Sequence, residues 1–118
     1  MKAKAFTVTA HTGCLGTKPN SIEAIIKGFE AGADIIEFDL NFAGNGTPLL
    51  SHDSPKGGEV TLDEAFEVLA KCNGVKANVD IKSVEKIEQV VPLAKKHNVL
   101  DRIFFTGVHE GFVVMKLM

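Results

Sequence analysis

The sequence predicts an α/β fold with a largely parallel sheet, on three observations. Short runs rich in β-branched and apolar residues recur along the chain, amphipathic stretches with helix caps separate most of them, and polar residues collect where the runs end. The 118 residues, 45% hydrophobic and 24% charged, suit one domain over 1–118 with a modest core. Two versions of such a fold compete, an open doubly wound sheet and a piece of a (β/α) barrel. No G-x-G-x-x-G follows the first run and no G-x-x-x-x-G-K appears, so the nucleotide-binding version has no motif behind it.

Ala5 to Ala10 alternates and reads as strand one, with His11 at its tip. Asn20 and Glu23 make a capping-box pattern, after which Ile22, Ile25, Ile26 and Phe29 share one face of a helix from about Ser21 to Ala31 that Gly32 ends. Asp34 to Leu40 is too apolar and β-branched for a loop and forms strand two. Ala43-Gly44-Asn45-Gly46 is a turn, followed by a short third strand, Thr47 to Ser51, that ends at His52-Asp53. A loop over 54–58 leads to a second capping box, Thr61 with Glu64, and a helix from Leu62 to Lys71 carrying Leu62, Ala65, Phe66 and Leu69 on its inner face. Val75 to Lys82 is strand four. Ser83 can cap a third helix with Val84, Ile87, Val91 and Ala94 facing inward, and Pro92 should kink it. Lys95, Lys96 and His97 suit that helix's negative end, Asn98 suits a left-handed cap, and Arg102 to Thr106 is strand five.

Thirteen Lys and Arg against fifteen Asp and Glu give a formal net charge of −2. No basic face is present to release counterions from a polyanion, so nucleic acid is not an expected partner. No apolar run approaches the ~20 residues of a membrane span. His11-Thr12-Gly13 interrupts the start before a secretory leader could form, and a cytoplasmic location is expected. Cys14 and Cys72 lack C-x-x-C spacing and are read as free thiols.

The chemistry lies at the strand ends. Glu37 and Asp39, two apart in strand two, project to the same side, as do Asn78, Asp80 and Lys82 in strand four. Paired carboxylates in an apolar strand repel and lose hydration unless a cation or positive side chains neutralise them. Glu37, Asp39 and Asp80 therefore converge as an oxygen-only site that favours magnesium or calcium over zinc. His11 and His52 at two further strand tips supply a general base and a general acid for phosphoryl transfer. Cys14 beside His11 has no oxyanion motif or orienting third residue and makes a poor nucleophile. His97 and His109 read as surface residues.

His11-Thr12-Gly13, Asn20-Ser21, Gly32-Ala33-Asp34-Ile35-Ile36-Glu37-Phe38-Asp39, Asn45-Gly46, Ser51-His52-Asp53, Thr61-Leu62-Asp63-Glu64 and Asn78-Val79-Asp80-Ile81-Lys82 occur in the order of the glycerophosphodiester phosphodiesterase family, which the chain resembles along essentially its whole length. The resemblance implies the N-terminal part of a TIM-type (β/α) barrel, a partial barrel of about five strands with intervening helices. It implies hydrolysis of small glycerophosphodiesters to glycerol 3-phosphate and an alcohol. Glu37, Asp39 and Asp80 match the family's metal-binding acids, His11 and His52 its catalytic pair, and Lys82 a lysine that contacts phosphate.

Some positions depart from the family pattern. Thr12 stands where an arginine usually forks to phosphate, which predicts weaker phosphate capture that Thr12→Arg should restore. Lys18-Pro19-Asn20-Ser21 replaces P-E-N-T, keeping the asparagine and losing the glutamate. Asp80 stands where glutamate is usual, and the segment between His52 and Thr61 lacks a large insertion. A complete barrel takes ~250 residues, so the domain over 1–118 reads as truncated. The alternative to an active enzyme is a catalytically weak or inactive half-barrel that binds metal or phosphate. A sheet with helices on one face leaves the other bare, which predicts a large apolar patch, and with the apolar tail over 111–118 a homodimer, unless a C-terminal half completes the barrel.

Overall fold

The computed structural model describes residues 6–107. The start of the predicted first strand at Ala5, His109 and the tail over 111–118 lie outside the described residues. Five strands, β1 (Thr9–Ala10), β2 (Ile35–Phe42), β3 (Pro48–Leu50), β4 (Lys76–Ile81) and β5 (Ile103–Gly107), form one sheet with three helices, α1 (Ile22–Glu30), α2 (Leu62–Ala70) and α3 (Val90–Lys96). The order is β1-β2-β4-β5, all parallel, and β3 is antiparallel to β2. The third predicted strand is thus a hairpin return through the Asn45-Gly46 turn and not a fifth parallel strand. β4 runs along one edge of β2, while the other edge is divided between β1 at Ile35–Ile36 and β3 at Leu40–Phe42.

The first strand is much shorter than its alternation suggests. The Val8 N–H is taken by the Asp34 side chain at 2.8 Å, and only the Val8 carbonyl bonds to the start of β2. Gly28 brings α1 close to β1, since a Cβ there would lie 2.9 Å from that of Ala10.

Strand alternation sorts the sheet into two faces. Ile36, Phe38 and Leu40 of β2 sit opposite Ala77, Val79 and Ile81 of β4, and these six form one core with Ile25, Phe66, Leu69, Val90 and Ala94 of the helices. Phe66 is wholly buried there, and truncating such a side chain costs about 3–5 kcal/mol. The opposite face carries Glu37, Asp39, Asn78, Asp80 and Thr106. The face that the helices leave uncovered is therefore mainly polar, with Phe104 of β5, paired with Asn78, exposed on it, and not the large apolar patch expected. Other exposed large apolar groups sit elsewhere, among them Phe6, Val8, Leu15, Ile26 and Phe29.

α2 begins with the predicted capping box, Thr61 accepting from the Glu64 N–H and Glu64 from the Thr61 N–H. α1 is capped by Ser21, whose hydroxyl accepts the Ala24 N–H, and not by Asn20. It also turns Ala24, Ile25 and Gly28 inward and leaves Ile26 and Phe29 exposed, because a stripe so rich in apolar residues does not define its own centre. In the third helical segment a 3-10 turn over 87–89 precedes α3, and Val90 and Ala94 are the buried pair while Val84 is exposed. Pro92 falls in the first turn of α3, where no N–H is needed, so it does not kink the helix.

Candidate active site

Residue pairing between β2 and β4 sets Glu37 opposite Asn78 and Asp39 opposite Asp80. One carboxylate oxygen from each of Glu37, Asp39 and Asp80 lies within 4.8 Å of the others. Glu37 and Asp39 are only 7% and 4% exposed. Lys82, just beyond β4, places its ammonium 2.9 Å from Asp80 and 3.9 Å from Asp39. Three carboxylates and one ammonium leave two negative charges among oxygen donors only. That set fits a hard divalent cation and offers zinc none of its preferred nitrogen or sulfur.

Each acid is oriented by a neighbour. Burial pushes the Glu37 carboxyl up, the Thr12 N–H bonded to it at 3.1 Å pulls it down, and the charges of Asp39 and Asp80 push it up again, for a net rise. Asp80 is also burdened by burial. Hydrogen bonds from Lys82 and Thr106, with the Lys82 charge, outweigh that and hold it below the usual carboxylate range. Lys82 is raised in turn, first by its bond to Asp80. Thr106 of β5 lies 2.9 Å from both Asp80 Oδ1 and Asn78 Oδ1. The Thr106 hydroxyl has one proton for these two acceptors, and it ties β5 to the acid when it donates to Asp80.

Asp39 is held by Asn20. The Asn20 amide donates to Asp39 Oδ2 at 3.0 Å, and Asn20 Oδ1 accepts the Asp39 main-chain N–H at 2.9 Å. Asn20 reaches this position with φ of 58°, in the left-handed region that asparagine tolerates. Its own N–H donates to the Thr12 hydroxyl at 2.5 Å. Thr12 is therefore a brace inside the loop, not merely a lost arginine. Thr106 is invisible without the β4–β5 pairing. Asn20 shows in the sequence as a cap candidate and as the residue kept from P-E-N-T, with nothing to mark it as a partner of Asp39.

The histidines flank the acids. His11 Nε2 is 3.5 Å from Glu37, and its Nδ1 donates to the Thr12 carbonyl at 2.9 Å, so Nε2 carries the free lone pair in the neutral ring. His52 Nδ1 bonds Asp53 Oδ1 at 3.1 Å, and the ring acts electrostatically on Asp80. The two side chains are 82% and 67% exposed. His97 is not the surface group expected from its lysine-rich surroundings, being largely buried with Nε2 2.6 Å from Asp63. Cys14 is half-buried and makes a weak contact with the Ala24 carbonyl at 3.8 Å. No helix among the described residues is long and apolar enough to cross a membrane.

Several solved structures share this fold. A glycerophosphodiester phosphodiesterase from Agrobacterium tumefaciens superposes with a TM-score of 0.77 at 16% identity, over 94% of this chain and 62% of that one. An Oleispira antarctica phosphodiesterase in complex with the product sn-glycerol-3-phosphate gives 0.73 at 20% identity, over 95% and 60%. A glycerophosphodiester phosphodiesterase from Thermotoga maritima gives 0.68 at 20% identity, over 97% and 59%. At these identities the likeness is one of fold, and the chain spans about three fifths of the length of these structures. The fold is a partial TIM-type barrel, with four parallel strands and one antiparallel return among the described residues. Residues 11–68, which contain His11, Glu37, Asp39 and His52, match the model of the glycerophosphoryl diester phosphodiesterase family. By that match and this fold, the chain is similar to the glycerophosphodiester phosphodiesterase family, with the family's sequence pattern over residues 11–68.

Proposed function

We propose that this site hydrolyses glycerophosphodiesters to glycerol 3-phosphate and an alcohol with the help of one divalent cation. The observation that carries the reading is the cluster of Glu37, Asp39 and Asp80, with oxygens within 4.8 Å and a histidine at either side. A set of carboxylate oxygens this close together suits calcium or magnesium, both of which prefer oxygen ligands. Glu37, Asp39 and Asp80 would hold the ion, which supplies charge stabilisation at the nonbridging phosphate oxygens. Lys82 contacts the phosphate from the same side.

His11, held through Nδ1 by a carbonyl, presents Nε2 to take the proton of the glycerol hydroxyl that attacks phosphorus. His52, braced through Nδ1 by Asp53, delivers a proton to the alkoxide as its bond to phosphorus breaks. Water then opens the cyclic phosphate with the two roles exchanged, which yields glycerol 3-phosphate and restores both rings. The test is incubation with glycerophosphocholine and calcium or magnesium, followed by assay of released glycerol 3-phosphate. His11→Ala and His52→Ala should each lower the rate about 100-fold or more. Equal turnover in either variant removes that histidine from the scheme.

A second reading, a half-barrel that binds metal or phosphate without turnover, is favoured by the exposure of both imidazoles. Metal binding retained with no product formed would select it. We also take 1–118 to act as one cytoplasmic domain that completes its barrel with a second copy or with a segment supplying further strands. Ile26 and Phe29 on α1 are the apolar groups such a contact would cover. Light scattering at micromolar concentration tests this, and a well-folded 12.7 kDa species would refute the homodimer.

A further inference from the structure

A cavity of about 390 Å³ opens between the loop before α1 and the loop over 51–60, lined among others by Lys18, Asn20, His52, Asp53, Lys56 and Glu59. It adjoins the acid cluster through two of these, since Asn20 holds Asp39 and His52 acts on Asp80. Its size is within the range of small-ligand sites. Resting on the hydrolase reading above, in which His52 protonates the leaving alkoxide, a cavity that His52 lines is where the departing alcohol sits.

The charges in the cavity are unequally committed. Asp53 is bonded to the His52 ring at 3.1 Å. Glu59 accepts the main-chain N–H groups of Lys56 at 2.6 Å and Gly57 at 2.9 Å, which with the Lys18 charge hold it below the usual carboxylate range. The two carboxylates are thus engaged by the chain itself. Neither the Lys18 nor the Lys56 ammonium is in a hydrogen bond or ion pair with another described residue. Among the described residues no phenylalanine lines the cavity, and the chain has no Trp or Tyr, so a quaternary ammonium finds no aromatic face there. We propose that Lys18 and Lys56 make this cavity selective for leaving alcohols that bear an anionic group, a carboxylate foremost.

Glycerophosphoserine and glycerophosphoethanolamine differ by a single carboxylate and isolate the effect. Each is titrated calorimetrically, in calcium, into the His11→Ala chain so that turnover does not intervene. The serine diester should bind about 5- to 10-fold more tightly, as befits one charged contact at a partly exposed site. Raising the salt concentration should narrow the gap. Adding Lys18→Ser and Lys56→Ser should close it while leaving ethanolamine-diester affinity within about twofold. Both lysines are exposed, and either single substitution should close part of the gap, which guards against a misfolded double variant. Equal binding of the two diesters, binding of neither, or a gap that survives both substitutions overturns the proposal. A gap in binding with no turnover by the unsubstituted chain upholds the cavity's selectivity and overturns the hydrolase reading instead.

Discussion

The two histidines sit on arms of unlike construction. The His11 arm is tied into the acid cluster at three points, through the Thr12 N–H on Glu37 and through both ends of the Asn20 side chain on Asp39. The His52 arm is tied chiefly to itself, with Ser51 donating to the Asp53 carbonyl at 2.6 Å and Glu59 gathering two N–H groups of its own loop. Asn41 of β2, donating to the Asp53 carbonyl at 3.0 Å, and the Ser51 N–H, bonded to the Asp39 carbonyl at 3.2 Å, link it to the sheet. The first arm holds the carboxylates of Glu37 and Asp39, whereas the second reaches Asp39 through the main chain alone. Metal affinity should therefore depend on the first arm and discrimination among alcohols on the second.

The most direct way to break this comparison is Asn20→Ala against Ser51→Ala. Loss of Asn20 frees Asp39 at two atoms and should weaken calcium binding about 10- to 100-fold, the usual cost of removing a group that orients a ligand. Ser51→Ala should leave calcium affinity within about twofold, as it removes only the hydroxyl bonded to the Asp53 carbonyl and keeps the N–H bonded to Asp39. Calorimetric titration of both variants decides, and equal losses would show that the arms are not independent. Thr12→Arg is the next largest. The sequence alone favours a gain in phosphate capture, but the hydroxyl that accepts the Asn20 N–H is lost, and calcium affinity should fall about 5- to 10-fold. An unchanged calcium affinity would show that the Thr12 hydroxyl is dispensable.

A pH pair sharpens the contrast. Glu37 is raised above its ordinary 4.5, chiefly by burial. Without metal, the folded chain then binds its proton more tightly than the unfolded chain, so stability is lost as pH rises from 4.5 through the folded value. Glu37→Gln should raise the melting temperature of the metal-free protein at pH 7, and the gain should vanish below pH 4.5. Glu59 is lowered from 4.5, chiefly by the Lys56 and Gly57 N–H groups, which reverses the sign. What it contributes to its loop is present above 4.5 and lost as pH falls through the folded value. Amide exchange at Lys56 and Gly57 in Glu59→Gln should match that of the parent at acid pH and exceed it at neutral pH. The same direction in both variants would contradict the assignment.

Much of this was legible in the chain because it depends on local pattern. Glu37 and Asp39 stand out as acids two apart in an apolar strand, and the Thr61–Glu64 box lies within one helical turn. Asn20 misleads for the converse reason. Local rules make it a cap candidate, but Ser21 takes that place and Asn20 serves Asp39, a residue that only the parallel β1–β2 arrangement brings near. The inner face of α1 differs from the one its pattern predicts because periodicity reports that a stripe exists, while the packing of Gly28 on Ala10 decides which way it points. Thr106 carried no local signal at all.

The hairpin return of β3 bears on how the site comes together in time. Leu40 pairs with Leu50, near in sequence, whereas Ile35 pairs with Lys76 across a long crossover. Hairpins close in ~1–10 μs, and distant pairings wait on loop closure. β2 and β3 should therefore zip first and display Glu37 and Asp39 together before Asp80 arrives. Repulsion among the three acids would then be met after the main folding barrier, at the last docking step. An interaction absent from the transition state slows unfolding and leaves refolding alone. Stopped-flow circular dichroism should find calcium prolonging the life of the native state with little effect on the refolding rate, and faster refolding in calcium would mean that β4 docks early. Bound calcium would in that case act as a latch on the finished barrel segment and play no part in guiding its assembly.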